Sequence, residues 1–322
     1  MKKVLVTIPV ENEHKQYLET VGKGLEFIYA DRETLLPQLV KDAEIILGNV
    51  PPEYLKDAAK LKFLQLDSAG AAPYTAPGVM PKGAQLANAT GAYGLAISEH
   101  MLGCVFMLRK KLDRYLDDMK RHEWKDEGPV LSIADSVTLV VGLGDIGGQF
   151  AQKMHALGSH VIGIRRHRSE APDYLEELYT MEELDTLLPK ADIVACSLPG
   201  TPQTAGLFDA GRLGRMKKGA ILLNVGRGSL IPSDALLEAL KSGHLGGAAI
   251  DVAEEEPLPP ESPLWDAPNL LITPHVSGNY HMRQILETVV KIAGENLSAF
   301  LEERPIRNEV DFQSGYRKFT GQ

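Results

Sequence analysis

The sequence has few cysteines, no excess of positive charge and no long apolar run. Cys104 and Cys196 both stand in apolar stretches, which favours buried reduced thiols over a disulfide or a reactive nucleophile. The formal net charge of −9 disfavours nucleic acid and anionic membrane surfaces as partners. No segment approaches the roughly 18 apolar residues of a membrane-spanning helix. Internal repeats and low-complexity tracts are also absent, so we expect an ordinary globular chain.

The length and composition are typical of a soluble enzyme with more than one domain. The 322 residues suggest about two domains, and the 44% hydrophobic content is sufficient for real cores. The opening segment, Met1–Lys3 followed by apolar residues 4–10, superficially resembles a signal peptide. It lacks a small-residue cleavage site and continues directly into the polar residues 11–14. A first β-strand is therefore the better interpretation.

Short apolar runs alternate with helical patterns along most of the chain. The alternation begins at the N-terminus and begins again near Ser136, which predicts an α/β fold of two doubly wound parallel-sheet domains. The segment 70–81 is rich in Gly, Pro and Ala and is predicted to be a loop. Predicted strands cover 3–8, 25–29, 45–47, 61–66, 137–141, 160–164, 193–198, 220–225, 248–252 and 270–273. Predicted helices cover 13–21, 32–40, 99–122, 147–157, 181–188, 210–216, 232–242 and 282–301.

A glycine motif lies between the strand at 137–141 and the helix that follows it. Gly142 allows a tight turn, Gly144 allows close backbone approach, and Gly147 lets helix and strand pack closely. The turn also directs backbone N–H groups and a partial positive charge toward a bound pyrophosphate. The context of strand, motif, helix and second strand indicates a dinucleotide site, although a plain Gly-rich turn is the alternative. We expect the cofactor to contact Gly142, Gly144, Asp145, Ile146 and Gly147.

Three arginines follow the second strand of this unit. That position, about twenty residues past the glycines, usually holds an acidic residue that accepts from the ribose hydroxyls of NAD. Here Arg165 occupies it, with Arg166 and Arg168 beside it, and arginine accommodates a 2′-phosphate. The sequence therefore predicts a preference for NADP, with NAD possible. A solvated basic turn is the alternative interpretation.

Three polar residues follow later strands of the same domain. Arg227, Glu256 and His275 lie near the carboxyl ends of successive strands, where open α/β sheets bind ligands. Histidine titrates near working pH and suits proton donation to a nascent alkoxide, and a carboxylate on its far nitrogen fixes the tautomer. Arginine can donate two hydrogen bonds to a carboxylate, and it can polarise a carbonyl group. Together they predict the reduction of a 2-keto acid. Singly, each has a simpler interpretation: a surface arginine, a solvated acidic turn and a structural histidine.

These segments resemble the signature blocks of the D-isomer-specific 2-hydroxyacid dehydrogenases. The blocks are residues 142–147, 224–228, 251–258 and 274–278, while 68–70, 88–91 and 98–100 resemble blocks of the family's substrate domain. The resemblance covers nearly the whole chain and points to a glyoxylate/hydroxypyruvate reductase-like member. It implies a Rossmann-type nucleotide domain at 99–278, beginning with a linking and dimerisation helix at 99–121. This domain is inserted in a flavodoxin-like substrate domain, 1–98 completed by 279–322, and the cleft between domains is the expected substrate site.

The resemblance also implies residue roles. Arg227 orients the substrate, His275 is the acid for reduction and the base for oxidation, and Glu256 sustains the charge of His275. The amides of Ala69 and Gly70 hold the substrate carboxylate. The family is usually a cytoplasmic homodimer, and no metal is expected. Many members carry an aspartate where this chain has Arg165, so their NAD preference is in doubt here. Further implied cofactor contacts are Leu198, Pro199, Asn224, Val225, Gly226, Asp251, Ser277 and Gly278.

Rival functions remain beside the reduction of glyoxylate or hydroxypyruvate with NADPH. One is an NAD-linked lactate- or phosphoglycerate-type dehydrogenase. Another class is a cofactor-sensing binding protein like the dehydrogenase-related corepressors, although no basic or disordered tail supports it. A formate dehydrogenase is disfavoured, because a neutral amide is expected there in place of Glu256. The sequence does not decide which residues line the pocket for the substrate's side chain. The candidates are Asn49, Val50, Tyr74, Tyr93 and Trp124, of which Tyr93 and Trp124 are of types that are more often packing residues than ligands.

Overall fold

The computed structural model describes residues 1–167, 170–313, 315, 317 and 318. The chain divides into two compact units, Met1–Tyr93 with Tyr280–Gln322, and Gly94–Asn279. Among the described residues the first unit has a five-stranded sheet and the second a seven-stranded sheet, and the strand pairs in both are parallel. The predicted class of two parallel-sheet α/β domains is confirmed. None of the described helices is long and apolar enough to cross a membrane.

The sheet of the first unit is buried between helices. Its strands Ile45–Leu47 (Ile-Ile-Leu) and Phe63–Gln65 (Phe-Leu-Gln) have every residue buried, as parallel strands covered on both faces require. The strand order is β2-β1-β3-β4-β5, the flavodoxin-like order. The strands are β1 Lys3–Val6, β2 Glu26–Tyr29, β3 Ile45–Leu47, β4 Phe63–Gln65 and β5 Gln85–Ala87. The helices are α1 Asn12–Val21, α2 Pro37–Asp42, α3 Pro52–Leu55 and α4 Ala72–Thr75.

Three local predictions for this unit are wrong. The helix predicted at 32–40 begins only at Pro37, because proline suits the first turn of a helix and keeps Leu36 before it extended. The stretch predicted as a loop at 70–81 contains the one-turn helix α4. The strand β5 was not predicted at all, since a three-residue Gln-Leu-Ala strand carries no alternating or β-branched pattern.

The second unit has the strand order of dinucleotide-binding domains. From one edge the order is β8-β7-β6-β9-β10-β11-β12, which is the 3-2-1-4-5-6 order extended by one strand. The order reverses between β6 and β9, where such sheets bind ligands. The strands are β6 Val137–Val141, β7 His160–Ile164, β8 Glu177–Tyr179, β9 Ile193–Cys196, β10 Ile221–Asn224, β11 Gly247–Ile250 and β12 Leu270–Ile272. The helices are α5 Gly94–Lys110, α6 Leu112–Lys120, α7 Asp145–Ala156, α8 Leu184–Leu187, α9 Ala210–Arg215 and α10 Ser233–Lys241.

The long helix predicted at 99–122 is the main correction in this unit. It begins earlier, at Gly94, and it is broken at Lys111, whose φ of 56° is left-handed. The hydrophobic spacing continues across the break, so periodicity could not locate it. The helix predicted at 181–188 is the single turn α8 between two short 3-10 turns. The edge strand β8 was also missed, because its sequence, Glu-Leu-Tyr, is too short to form a pattern.

Both cysteines are free thiols. Cys196 in β9 is buried, and Cys104 in α5 is half-buried rather than buried as predicted. Burial raises the pKa of both thiols, that of Cys104 to about 11, with a further contribution from the Asp251 carboxylate. Both are therefore neutral near pH 7, as structural thiols are.

The last helix, α11 at Arg283–Leu301, packs on α1 and on β4 of the first unit. A buried amide fixes it there. Asn296 Nδ2 donates to Gln65 Oε1 (2.6 Å) and to the Arg307 carbonyl (2.9 Å), and its Oδ1 accepts from the Arg307 amide (2.9 Å). These bonds join the helix, the central sheet and the following segment, and the side chains of Asn296 and Gln65 are buried.

We predict that Asn296→Ala lowers the free energy of unfolding by about 1–3 kcal/mol, because the buried Gln65 Oε1 then loses its donor and the backbone of Arg307 loses two hydrogen bonds. Urea unfolding followed by circular dichroism measures the change. Gln284→Ala, at an exposed position of the same helix, is the matched control and should change the free energy by less than about 0.5 kcal/mol. Equal effects of the two variants would contradict the role given to the buried amide.

Candidate active site

The turn after β6 has the shape that a dinucleotide site requires. Gly142 has a φ of 101°, which side chains with a β-carbon rarely adopt. A β-carbon on Gly147 would lie 1.9 Å from the Gly142 carbonyl oxygen, so helix α7 can approach the turn only with glycine there. Gly144 is different, because a β-carbon on it would contact nothing within 4 Å. Its exposed backbone leaves the mouth of the turn open to a ligand.

The N-terminus of α7 adjoins this opening. Its N-cap residue is Gly144, which has no side chain that could bond to the first amides of the helix. The carboxylate of Asp145 is directed to α5 instead, accepting from the Gly94 amide (2.7 Å) and from Gln149 Nε2 (2.9 Å). The half-buried Ile146 follows it in the first turn. A helix end with its amides directed at an open glycine turn suits a phosphate group, so these residues fit a dinucleotide.

Arg165 and Arg166 directly follow β7, at the carboxyl edge of the sheet. The backbone of Arg165 is fixed there, because its amide donates to the Tyr179 carbonyl (3.0 Å). Arg165 is half-buried and Arg166 is exposed. Arg168 lies outside the described residues.

The loops after β9 and β10 pack against each other and against the glycine turn. Ser197 Oγ donates to the Gly142 carbonyl (2.7 Å). A β-carbon on Gly226 would lie 2.4 Å from the Leu198 carbonyl oxygen, so the two loops touch through their backbones. The predicted contacts Leu198, Pro199, Asn224, Val225 and Gly226 therefore lie along one edge, next to the strand-order reversal.

The histidine and the glutamate that the sequence suggested as catalytic residues are hydrogen-bonded to each other. His275 Nδ1 lies 2.8 Å from Glu256 Oε2, and it donates because a carboxylate only accepts. Glu256 is itself held by the Ala253 amide, which donates to Oε1 (3.1 Å). The His275 side chain is 50% exposed. The pair thus fixes the ring through Nδ1 and leaves Nε2 as the nitrogen for a ligand.

Arg227 lies in the turn after β10. Asn224 Nδ2 donates to its carbonyl (3.0 Å), and its own Nη1 donates to the Gly226 carbonyl (2.6 Å). Burial lowers the pKa of the Arg227 guanidinium, and the Glu256 carboxylate nearby opposes that shift. Arg227 therefore lies close enough to Glu256 for their charges to interact.

A buried carboxylate holds the loop that carries His275. Asp251, 2% exposed, follows β11 and accepts from Thr273 Oγ1 (2.6 Å), from the Val276 amide (3.0 Å) and from the amide and hydroxyl of Ser277. Its backbone carbonyl also accepts from the His275 amide (2.8 Å). These bonds keep His275 at a left-handed φ of 53°. Asp251 and Ser277 were predicted as cofactor contacts, and their side chains are hydrogen-bonded to each other within this loop. Gly278, the next predicted contact, is half-buried.

In the first unit, Ala69 and Gly70 lie in the loop after β4. Their carbonyl groups accept hydrogen bonds within the first unit. Asn88 Nδ2 donates to the Ala69 carbonyl (2.8 Å), and Ser68 Oγ donates to the Gly70 carbonyl (2.8 Å). The preceding Asp67 is buried and accepts from Tyr280 Oη (2.7 Å), from the Asn49 amide (3.2 Å) and from Arg32. This loop is thereby rigidly anchored at the carboxyl end of its sheet.

Sequence reasoning missed several residues that hold these loops. Asp67 and Thr273 carry no motif of their own, and only their position directly after predicted strands could have singled them out. Two candidate pocket residues are used within the first unit, because Tyr74 donates to the Val50 carbonyl (2.9 Å) and Tyr93 donates to the Asp67 carbonyl. Both tyrosines are buried, as packing residues are.

Comparisons with known proteins agree with this geometry. A family model described as D-isomer specific 2-hydroxyacid dehydrogenase, NAD binding domain, matches residues 102–277. Glyoxylate/hydroxypyruvate reductase B of Erwinia tasmaniensis is 31% identical over 93% of this chain and 94% of its own length.

Two solved structures extend the likeness to the whole chain. A D-isomer specific 2-hydroxyacid dehydrogenase family protein of Aeromonas salmonicida gives a TM-score of 0.85 at 32% identity, covering 97% of this chain and 99% of that one. An NADPH-dependent glyoxylate/hydroxypyruvate reductase of Sinorhizobium meliloti, solved with NADP and sulfate, gives 0.82 at 28% identity, covering 98% and 100%. The chain therefore belongs to the family of D-isomer specific 2-hydroxyacid dehydrogenases.

Proposed function

We propose that this chain reduces small 2-keto acids, such as glyoxylate or hydroxypyruvate, to D-2-hydroxy acids with NADPH. The observation that carries the proposal is the 2.8 Å bond between His275 Nδ1 and Glu256 Oε2, beside the half-buried Arg227. An acid held by a carboxylate next to a guanidinium suits a substrate that has both a carbonyl and a carboxylate.

His275 is the proton donor in this scheme. Glu256 occupies Nδ1 and stabilises the imidazolium, so the proton leaves from Nε2 to the keto oxygen. In the opposite direction the neutral ring takes the proton back from the hydroxyl. Ala253 holds Glu256 through its amide, so the ring keeps its orientation in both protonation states.

Arg227 binds and polarises the substrate. Its guanidinium has several donors beyond the one that bonds to the Gly226 carbonyl, and burial strengthens their interaction with an anion. The amides of Ala69 and Gly70 are our candidates for the substrate carboxylate. Among the described residues, the hydrogen bonds that anchor this loop use the carbonyl groups of Ala69 and Gly70 and not their amides.

The dinucleotide is assigned to the glycine turn and the loops beside it. When bound there it supplies the hydride for reduction of the keto carbon. The first turn of α7 would hold the pyrophosphate, and the loops after β9 and β10 would cover the rest. For the 2′-phosphate of NADP we assign Arg165 and Arg166, which follow β7, together with Arg168. The NADP complex of the Sinorhizobium relative supports this preference.

We also propose that the chain is a homodimer. A group of large apolar side chains is exposed on α6 and the segment after it, and Trp124 among them is completely exposed. Exposed groups of this size on an otherwise soluble chain mark interfaces. The group consists of Leu112, Leu116, Met119, Trp124, Val130 and Leu131. The second copy is the occupant, because the family resemblance assigns dimerisation to this helix and loop.

The first test measures turnover. Purified protein with glyoxylate, hydroxypyruvate and pyruvate should oxidise NADPH, and the product should be the D-isomer. His275→Ala should lower kcat by about 10²–10⁴-fold, because the general acid is lost. His160→Ala is the matched control, since His160 also faces a glutamate, Glu176, but lies at the opposite edge of the sheet, and its kcat should be unchanged. A folded, cofactor-bound protein that reduces none of these acids would favour the corepressor-like binding role.

The second test concerns the cofactor. Arg165→Ala should lower kcat/KM with NADPH by about 10- to 100-fold, because a hydrogen bond to a charged group contributes roughly 1.5–3 kcal/mol. The value with NADH should change much less. Arg215→Ala, at an exposed arginine in the last turn of α9, should leave the NADPH/NADH ratio unchanged. A wild-type kcat/KM with NADH that equals or exceeds the value with NADPH would contradict the NADP assignment.

The third test concerns assembly. The wild-type protein should have twice the chain mass of 35.2 kDa by light scattering. Leu116→Glu should shift it toward the monomer, because burying an unpaired carboxylate in an apolar interface is costly. Trp265→Ala, at an exposed tryptophan outside this group, should leave the mass unchanged. A monomeric wild-type protein, or a variant that stays dimeric, would contradict the assigned interface.

A further inference from the structure

His100 of α5 is close to the catalytic loop of the same unit, yet no role above includes it. Its Nε2 lies 3.3 Å from Thr273 Oγ1 and 3.6 Å from Cys104 Sγ. Thr273 is two residues before His275 and donates to the buried Asp251. The half-buried imidazole is thus next to the polar group that anchors this loop.

The proton positions in this cluster follow from simple counting. A hydroxyl has one hydrogen, and Thr273 gives it to the Asp251 carboxylate at 2.6 Å, since a carboxylate cannot donate. The hydroxyl oxygen can then only accept from His100. Nε2 of His100 therefore carries a hydrogen. A thiol sulfur is a weak acceptor, so Cys104 competes little for that hydrogen.

The bond matters because of what it supports. An accepted hydrogen bond polarises the Thr273 hydroxyl and strengthens its donation to Asp251, since hydrogen bonds in a chain reinforce one another. Asp251 in turn holds the Val276 and Ser277 amides and, through its carbonyl, the His275 amide. His275 is kept at a φ of 53°, which costs energy and persists only where the surroundings impose it.

We infer that His100 is a positioning residue for His275, acting through the hydroxyl of Thr273 and the carboxylate of Asp251. It touches no reacting atom. Its contribution is to keep the loop from relaxing, so that the Nε2 proton of His275 stays aligned. The inference rests on the proposed reductase function for its kinetic readout, and a second readout is independent of that function.

The kinetic experiment compares His100→Leu, which removes the donor, with His100→Gln, which can replace Nε2 by an amide N–H. His100→Leu should lower kcat about five- to tenfold, the loss expected for one hydrogen bond of about 1–1.4 kcal/mol, with little change in KM. His100→Gln should recover most of that loss. Cys104→Ala removes the other neighbour of Nε2 and should leave kcat unchanged.

Thr273→Val tests the route by which His100 acts. It removes the hydroxyl at nearly constant volume, and it should lower kcat at least as much as His100→Leu. The double variant His100→Leu/Thr273→Val should be no slower than Thr273→Val alone, because the two residues share one link. Effects that multiply in the double variant would overturn the inference.

The independent readout is the tautomer of His100. Nitrogen chemical shifts of ¹⁵N-histidine-labelled protein should show a protonated Nε2, with the resonance assigned by its absence from His100→Gln. A neutral ring protonated only at Nδ1 would overturn the inference whether or not the protein is a reductase. If the wild-type protein turns over and His100→Leu keeps its kcat, the inference fails alone. If the wild-type protein reduces no 2-keto acid, the proposed function fails, and the tautomer still decides on the hydrogen bond.

Discussion

The buried carboxylate of Asp251 is the group on which the geometry of the His275 loop depends. It is placed by the end of β11, and the loop after β12 folds around it, with Thr273, Val276 and Ser277 as donors. A buried charge without partners would cost several kcal/mol, so the loop that satisfies it cannot easily leave. The conformation of His275 is a consequence of this arrangement. The histidine occupies an unfavourable backbone region because Thr273, two residues before it, and Val276, directly after it, are bound to the same carboxylate.

The parallel sheet of the second unit brings the remaining parts to that edge. Each strand ends at the same side, so each loop after a strand packs on the loop of the next strand. The contacts form a continuous series across the sheet, from the glycine turn to His275. They join Gly142 to Ser197, Leu198 to Gly226, Gly228 to Ala253, and Ala253 through Glu256 to His275. The glycine turn and the His275–Glu256 pair are therefore parts of one packed edge, and Gly226 and Gly228 stand where its loops approach through their backbones.

The sequence predicted the parts of this edge that have local signatures. The glycine motif indicated its turn because Gly142 needs a positive φ and Gly147 needs the missing β-carbon. His275 and Glu256 were paired by their positions after strands and by family resemblance, not by any local pattern. The Asp251 anchor was found only as a cofactor contact, and Thr273 and His100 were not found. Their roles depend on distances between strands and a helix far apart in sequence, and no periodicity encodes those distances. The break at Lys111 was missed because the hydrophobic spacing of the helix continues across it.

Asp145 shows how the fold reconciles an acidic residue with a site for an anionic cofactor. It begins α7, where a free carboxylate would repel a pyrophosphate and weaken the positive end of the helix for it. The carboxylate instead accepts the first amide of α5, that of Gly94, and the side chain of Gln149. A β-carbon on Gly94 would lie 2.4 Å from Asp145 Oδ1, so this contact requires glycine at the start of α5. The negative charge therefore neutralises the end of another helix, and the amides of α7 remain directed at the open turn.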